Sequence, residues 1–149
     1  MEQVIQCLGA FLGCLGLSFV FRIHRRLDYV LIASFGGTLG WIVYLLVIPY
    51  LSNIMSSLCA MIIVALFSEI MARICKVPAT IFIVVGCFPI VPGKGIYQTM
   101  LYLISYDQKL FIDSLFQTVG TALALATAIL IVSTFFKVIK TIKQKDDHL

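Results

Sequence analysis

The sequence predicts an all-α polytopic membrane protein with five transmembrane helices, the fourth of them short and broken at a proline-glycine motif. Three observations predict it. Apolar residues make up 61% of the 149 residues and charged residues only 12%, and the mean hydropathy is +1.07. A soluble chain of this length would wrap a charged surface around one compact core, and there are too few charges here to make one. The apolar residues also fall into runs close to the roughly 20 that cross a hydrocarbon core. Basic residues gather in alternate connecting segments, as the positive-inside rule requires of a chain that crosses repeatedly.

The first span runs from about Val4 to Phe21. The chain opens with Glu2 and Gln3 and places its positive charge after the apolar run. A secretory leader needs the reverse order, so this run reads as a retained span despite a faint lipoprotein-like box at Leu12-Gly13-Cys14. The second span covers Tyr29 to Ile48 and the third about Ile54 to Ile74. The fourth, Pro78 to Val91, is short and is followed by an amphipathic half-helix over 95–105. The last, from about Leu115 to Phe136, is uninterrupted and contains no charge. Together these form a single transmembrane domain, with a basic cytoplasmic tail over 137–149.

The break in the fourth span is the most informative feature. Pro89, Pro92, Gly93 and Gly95 fall within seven residues, with Lys94 among them. Proline removes a backbone donor and clashes with the preceding turn, and glycine tolerates dihedrals that other residues avoid, so no continuous helix is expected here. In lipid each freed N–H and C=O must find a partner, which confines broken backbone to protein contacts or a polar cavity. Transporters build binding sites at such places. A half-helix starting after Pro92 would present the free N–H groups of Gly93, Lys94, Gly95 and Ile96, a positive dipole end suited to an anion. Tyr97, Gln98 and Thr99 open the same helix.

Charge placement sets the orientation. With five spans, one side receives Arg22, Arg25, Arg26, Arg73, Lys76, Lys137, Lys140, Lys143 and Lys145, and the other only Lys94 and Lys109. The N-terminus is therefore expected outside and the C-terminus in the cytoplasm. The loop around Pro49 to Asn53 and the Asp107 to Asp113 stretch then face outward. An even number of spans would spoil the separation. The net charge of +4 reads as membrane orientation, since no basic patch is interleaved with aromatics in a polar segment, and nucleic acid is not an expected partner.

Chemistry is not indicated elsewhere. Cys7, Cys14, Cys59, Cys75 and Cys87 form no C-x-x-C pair, and His24 and His148 lie far from them in basic segments. Single cysteines in spans behave as small apolar residues, so neither a metal nor a redox cofactor is expected. There is no Ser/His/Asp pattern and no pair of carboxylates at catalytic spacing, and Gly93-Lys94-Gly95 lacks the flanking residues of a phosphate-binding loop. An enzyme is not expected.

Two further signals remain open at this level. Gly9, Gly13 and Gly16, and then Gly36 with Gly40, follow a small-xxx-small pattern that lets helices approach closely in lipid. Packing inside this chain is the favoured reading, with a subunit contact as the other. The last span offers a similarly smooth surface from Thr118 to Ala128. Glu69 and Arg73 lie four apart on one helical face near the cytoplasmic end of the third span. They form either an interfacial ion pair with snorkelling ends or a proton or gating site. A charge near the bilayer centre costs about 3 kcal/mol on insertion scales, so Lys94 faces either a cavity or, if the break is shallow, outer solvent.

The sequence Gly86-Cys-Phe-Pro-Ile-Val-Pro-Gly93, continuing Lys-Gly-Ile-Tyr97, resembles the proline-glycine signature of the threonine/serine exporter (ThrE) family. Length and layout resemble its small, separately encoded subunit of the YjjB type. The resemblance extends over essentially the whole chain, with P-x-V-P-G-x-x-x-Y as its specific core. It implies export of small carboxylate-bearing metabolites, threonine and serine or a dicarboxylate such as succinate. It also implies work beside a larger five-span subunit that carries a soluble N-terminal domain, in the plasma (inner) membrane. Substrate contacts are expected at Pro89, Pro92, Gly93, Lys94, Gly95, Tyr97 and Gln98, with Tyr97 at the matching family position. Glu69 and Arg73 are the candidates for proton coupling or gating. A non-transporting membrane scaffold is the alternative.

Overall fold

A computed structural model describes residues 2–21 and 27–146, with backbone only at Lys140 and over 143–146. The described residues form six helices and no strand. They are α1 (Glu2–Val20), α2 (Leu27–Val47), α3 (Asn53–Cys75), α4 (Thr80–Cys87), α5 (Gly93–Ile104) and α6 (Gln108–Asp146). Four of these, α1, α2, α3 and α6, are long and apolar enough to cross a membrane. Arg22, Arg25, Arg26, His24 and His148 lie outside the described residues, as do the side chains of Lys140, Lys143 and Lys145.

Glycine and small hydroxyl residues set how closely these helices pack. Gly36 and Gly40 of α2 lie against Phe67 and Val64 of α3, and Gly37 lies against Cys14 of α1 and the backbone of Gly86 in α4. Gly36 and Gly40 therefore serve packing inside the chain. Gly9 and Gly16 of α1 do not, since a side chain added at either would meet nothing. Ser18, Ser34, Ser56 and Ser57 are buried without cost because each hydroxyl donates to the carbonyl four residues back in its own helix.

The register of α4 and α5 follows from their neighbours. The ring of Phe82 meets Tyr29 edge-on at 6.3 Å, Gly86 lies on Gly37, and Ile90 approaches Gly40. Residue numbers rise together, so α4 runs parallel to α2, supported by Met61, Val64 and Leu125 behind Ile83 and Ile90. Gly95 packs on Thr118, after which α5 runs antiparallel to α6 up to the short turn between them. In consequence α4 begins at the end of the bundle where α3 finishes, and α5 finishes at the end where α6 begins.

Two non-glycine residues in left-handed conformation end helices. Lys76, at φ 55°, follows α3, with the Val77 N–H bonded back to Ala72 O; Tyr106, at φ 56°, follows α5, with the Asp107 N–H bonded to Tyr102 O. Both are closures of the Schellman kind. Asp107 then caps α6: its carbonyl accepts the Phe111 N–H and its carboxylate accepts the Leu110 N–H at 3.2 Å. The helix begins at Gln108, ahead of the apolar run from about Leu115 to Phe136, and continues without a break to Asp146, so the basic segment over 137–146 is helical. Apolarity marks the part of a helix that suits lipid, whereas caps mark where the helix starts. Asp107→Ala is expected to lower stability by about 1 kcal/mol, read as a lower melting temperature of the detergent-solubilised protein, while Asp113→Ala serves as a neutral control.

Candidate functional site

The helix ends at Cys87 and resumes at Gly93 because of what the two prolines lack. Pro89 has no N–H to continue the ladder, and Phe88 N bonds back three residues to Val85 O. Ile90 N and Val91 N both bond to Cys87 O, and Gly93 N bonds to Val91 O at 2.7 Å. Pro92, at φ −75° and ψ 56°, then serves as the cap of α5, its carbonyl accepting the Ile96 N–H. Pro92 cannot donate to Phe88 O, the bond a continuous helix would need. The N–H groups of Lys94 and Gly95 are left without an acceptor among the described residues.

This segment forms one side of a cavity of about 580 Å³, large enough for a small metabolite with several waters. Pro89 to Gly95 line it, together with Gln98 one turn into α5. The remaining walls come from Trp41 and Tyr44 of α2, Asn53 and Ser57 of α3, and Ser114, Gln117, Thr118 and Thr121 of α6. Trp41 stacks on Tyr44 with ring centroids 5.1 Å apart, and Tyr44 donates its hydroxyl to Asn53 Oδ1 at 2.8 Å. The Trp41 indole N–H is buried with no acceptor. The cavity thus carries amides, hydroxyls and the single cation Lys94, and none of its lining residues is acidic.

Of the residues expected to contact substrate, Pro89, Pro92, Gly93, Lys94, Gly95 and Gln98 share this cavity. Tyr97 does not line it; it lies on the outer side of α5, 68% exposed. Glu69 and Arg73 are far along α3 toward its other end. Arg73 is engaged by α6 there, its Nη2 donating to Phe136 O at 3.3 Å and its guanidinium 4.7 Å from the centre of the Phe136 ring. That contact takes the place of the expected pair with Glu69. The cysteines are free thiols.

The walls from α2, α3 and α6 were not read from the sequence. A signal existed on α6, where Ser114, Gln117, Thr118 and Thr121 recur at helical spacing on one face of an otherwise apolar helix. Thr118 and Thr121 also belong to the smooth, small-residue surface from Thr118 to Ala128, which by itself suits helix packing. Trp41 and Tyr44 carry the ordinary signature of membrane aromatics, and nothing in their spacing marks a cavity.

An all-helical bundle of apolar spans, opened at an interrupted helix by a cavity lined with polar groups, belongs to the class of multi-pass membrane transport proteins. Residues 6–135 match the family described as Threonine/Serine exporter, ThrE. That match extends over most of the chain, and the chain belongs to this family of exporter membrane components. No curated protein and no solved structure matches it.

Proposed function

We propose that this chain is one membrane subunit of a secondary exporter of small carboxylate-bearing metabolites, either threonine and serine or a dicarboxylate. The observation that carries the reading is the meeting of Lys94 and the unpaired N–H groups of Lys94 and Gly95 at a polar cavity in the middle of apolar sequence. A carboxylate is the group such a donor set fits, through charge-assisted hydrogen bonds and the dipole of α5. The broken pair of helices counts as a single crossing, with α4 in one half of the membrane and α5 in the other, which makes five spans in all. Tyr97 would act from outside the cavity as described, for instance when α5 shifts during transport. Glu69 is the candidate proton site, half-buried and not paired with Arg73.

Orientation follows from charge. Arg73, Lys76 and Lys137 lie toward one end of the bundle, and the sequence adds the first loop and the tail to the same side. This puts the N-terminus outside and the C-terminus in the cytoplasm, in the plasma (inner) membrane. A reporter fused after Leu149 should be active only in its cytoplasmic form, and an external tail would overturn the five-span reading.

A larger five-span subunit with a soluble N-terminal domain is the proposed partner. A Cβ added at Gly9 or Gly16 of α1 meets nothing among the described residues, and glycines at this spacing suit close contact with another helix. Cells lacking either subunit should then export no more of the metabolite than cells lacking both. Full transport by this protein reconstituted alone would overturn the partnership. An unchanged export profile in all three strains would favour the scaffold.

A further inference from the structure

The cavity occupies one half of the bundle. Helix α6 runs parallel to α3, since Gly120 packs on Ile54 and Phe136 on Arg73. Asn53, Ser57 and Ser114 are therefore close to one end, where α2 finishes just after Tyr44 and where Asn53 is exposed. The cavity that these residues line reaches that end, the outer one in the orientation above. Toward the cytoplasmic end it is stopped by α4. Pro89 and Ile90 form its floor, and below them Phe82, Ile83 and Val85 are 8% exposed or less. Phe82 and Val85 lie in one apolar cluster with Cys14 of α1, Ala33 of α2 and Ala72 of α3, which seals the inner half of the bundle.

The seal is built from a segment suited to movement. α4 has only eight residues, and its ends adjoin Lys76, in left-handed conformation, and Pro89, which has no N–H for the helix ladder. The stretch from Thr80 to Pro92 carries no charge, so moving it toward lipid desolvates none. The contacts that hold it are close packing at Gly37 and Val64 and a thiol hydrogen bond from Cys14 to Val85 O at 3.5 Å, a weak one. Its opposite stripe, Thr80, Val84 and Phe88, is exposed.

What lies beneath α4 points to a second arrangement. Ser68 of α3 is 1% exposed, and its Oγ has no hydrogen-bond partner. Ser18, Ser34, Ser56 and Ser57 are as deeply buried, yet each donates to its own helix. Ser68 is covered by α4: one turn before it Val64 meets Gly86, and one turn after it Ala72 belongs to the cluster of Phe82 and Val85. An unpaired buried hydroxyl is costly, and alanine at this position would avoid the cost. A hydroxyl without a partner under α4 acquires a use where α4 no longer covers it.

We propose that α4 is the cytoplasmic gate of the cavity, closed in this structure, and that Ser68 lines the inner half of the transport path when the gate opens. This rests on the exporter reading and its orientation and adds the moving element. Swinging α4 toward its exposed stripe, about residues 76–78 and 88–92, separates Gly86 from Gly37 and Val64 and carries Pro89 and Ile90 off the cavity floor. Water then reaches Ser68 from the cytoplasmic side, and its hydroxyl gains partners in water and substrate. One short helix thereby exchanges an outer opening for an inner one.

The test uses inverted membrane vesicles from cells expressing the native assembly, which turn the cytoplasmic face outward. Ser68→Cys is introduced in a chain whose native cysteines are replaced by alanine, and a membrane-impermeant maleimide is added outside, with and without threonine or succinate. Labelling should be slow at rest and at least about threefold faster under whichever metabolite is taken up, because substrate on that face favours the open gate. Val132→Cys, at a position 4% exposed on α6 and outside the cluster under α4, should stay unlabelled throughout. In the chain with its own cysteines, Ser68→Ala should lower uptake about threefold to tenfold, the worth of one neutral hydrogen bond, while the melting temperature holds or rises.

Uptake with the Ser68→Cys thiol protected, labelling of Val132→Cys at the same rate, or parental uptake by Ser68→Ala would each overturn the gate and leave the exporter reading standing. If the cysteine-free chain is inactive, Ser68→Ala decides alone. Parent vesicles that take up neither metabolite would overturn the exporter reading, and the gate with it.

Discussion

Gly37→Val is expected to destabilise the protein by about 3 kcal/mol, at the upper end of what overpacking costs, and to abolish transport with it. A Cβ on Gly37 would stand 2.5 Å from Cys14 Sγ, 3.4 Å from Gly86 Cα and 3.5 Å from Gly86 O. The sulfur can turn aside, but the Gly86 backbone cannot. Behind it, Gly86 is pressed on Val64 of α3, so α4 has no room to retreat. The short α4 is positioned by this contact, and whatever displaces it displaces the interrupted segment and the cavity wall. Gly86→Val should behave alike for the same reason. The control is Gly9→Val, with the same chemistry on an apolar helix at a site where a side chain meets nothing. The check is the melting temperature and the monodisperse yield in detergent. A Gly37→Val protein that melts with the parent would show that α2 and α4 do not touch as described.

That contrast explains which parts of the fold were legible in the sequence. The long helices follow from apolar runs and the interruption from Pro89 and Pro92, because both depend on local chemistry alone. The sense of each glycine does not. Gly9 and Gly16 share a spacing with Gly36 and Gly40, yet only the second pair faces a neighbour, and spacing cannot tell which face of a helix the rest of the chain will cover. The start of α6 at Gln108 does not show in the apolar pattern, because it is set by the Asp107 cap in a polar stretch ahead of the apolar run. Arg73 and Glu69 are four apart and suit an ion pair, but Phe136 lies 63 residues further along the chain and offers both a carbonyl and a ring face. The candidate site divides in the same way. Its contiguous part, from Pro89 to Gln98, was visible, and its assembled walls from α2, α3 and α6 appear only when the helices pack.

Lys94→Met is expected to weaken substrate affinity about tenfold to a hundredfold, the worth of one charge-assisted hydrogen bond at roughly 1.5 to 3 kcal/mol. Lys94 is exposed at the cavity, two residues after the cap of α5, and packs into no core. The protein should therefore reach the membrane in normal amount. Lys94→Arg keeps the charge on a planar fork of different reach and should retain part of the activity. Gly93→Val separates backbone access from folding more cleanly than the sequence implied. Gly93 has no positive φ, and a Cβ added there meets no described atom within 4 Å, so the turn is not strained and the added bulk stands at a residue that lines the cavity. Transport by Gly93→Val should fall while its melting temperature holds. Gly95→Val, by contrast, would press on Thr118 at 2.5 Å and confound the two effects. The outer-end control is Lys109→Met on α6, which should transport normally. Concentration dependence of export, measured for all of these at matched membrane levels, decides the matter. If Lys94→Met, Lys94→Arg and Gly93→Val all transported like the parent, the interrupted helix would serve packing alone, and the carboxylate site would have to be sought elsewhere in the assembly.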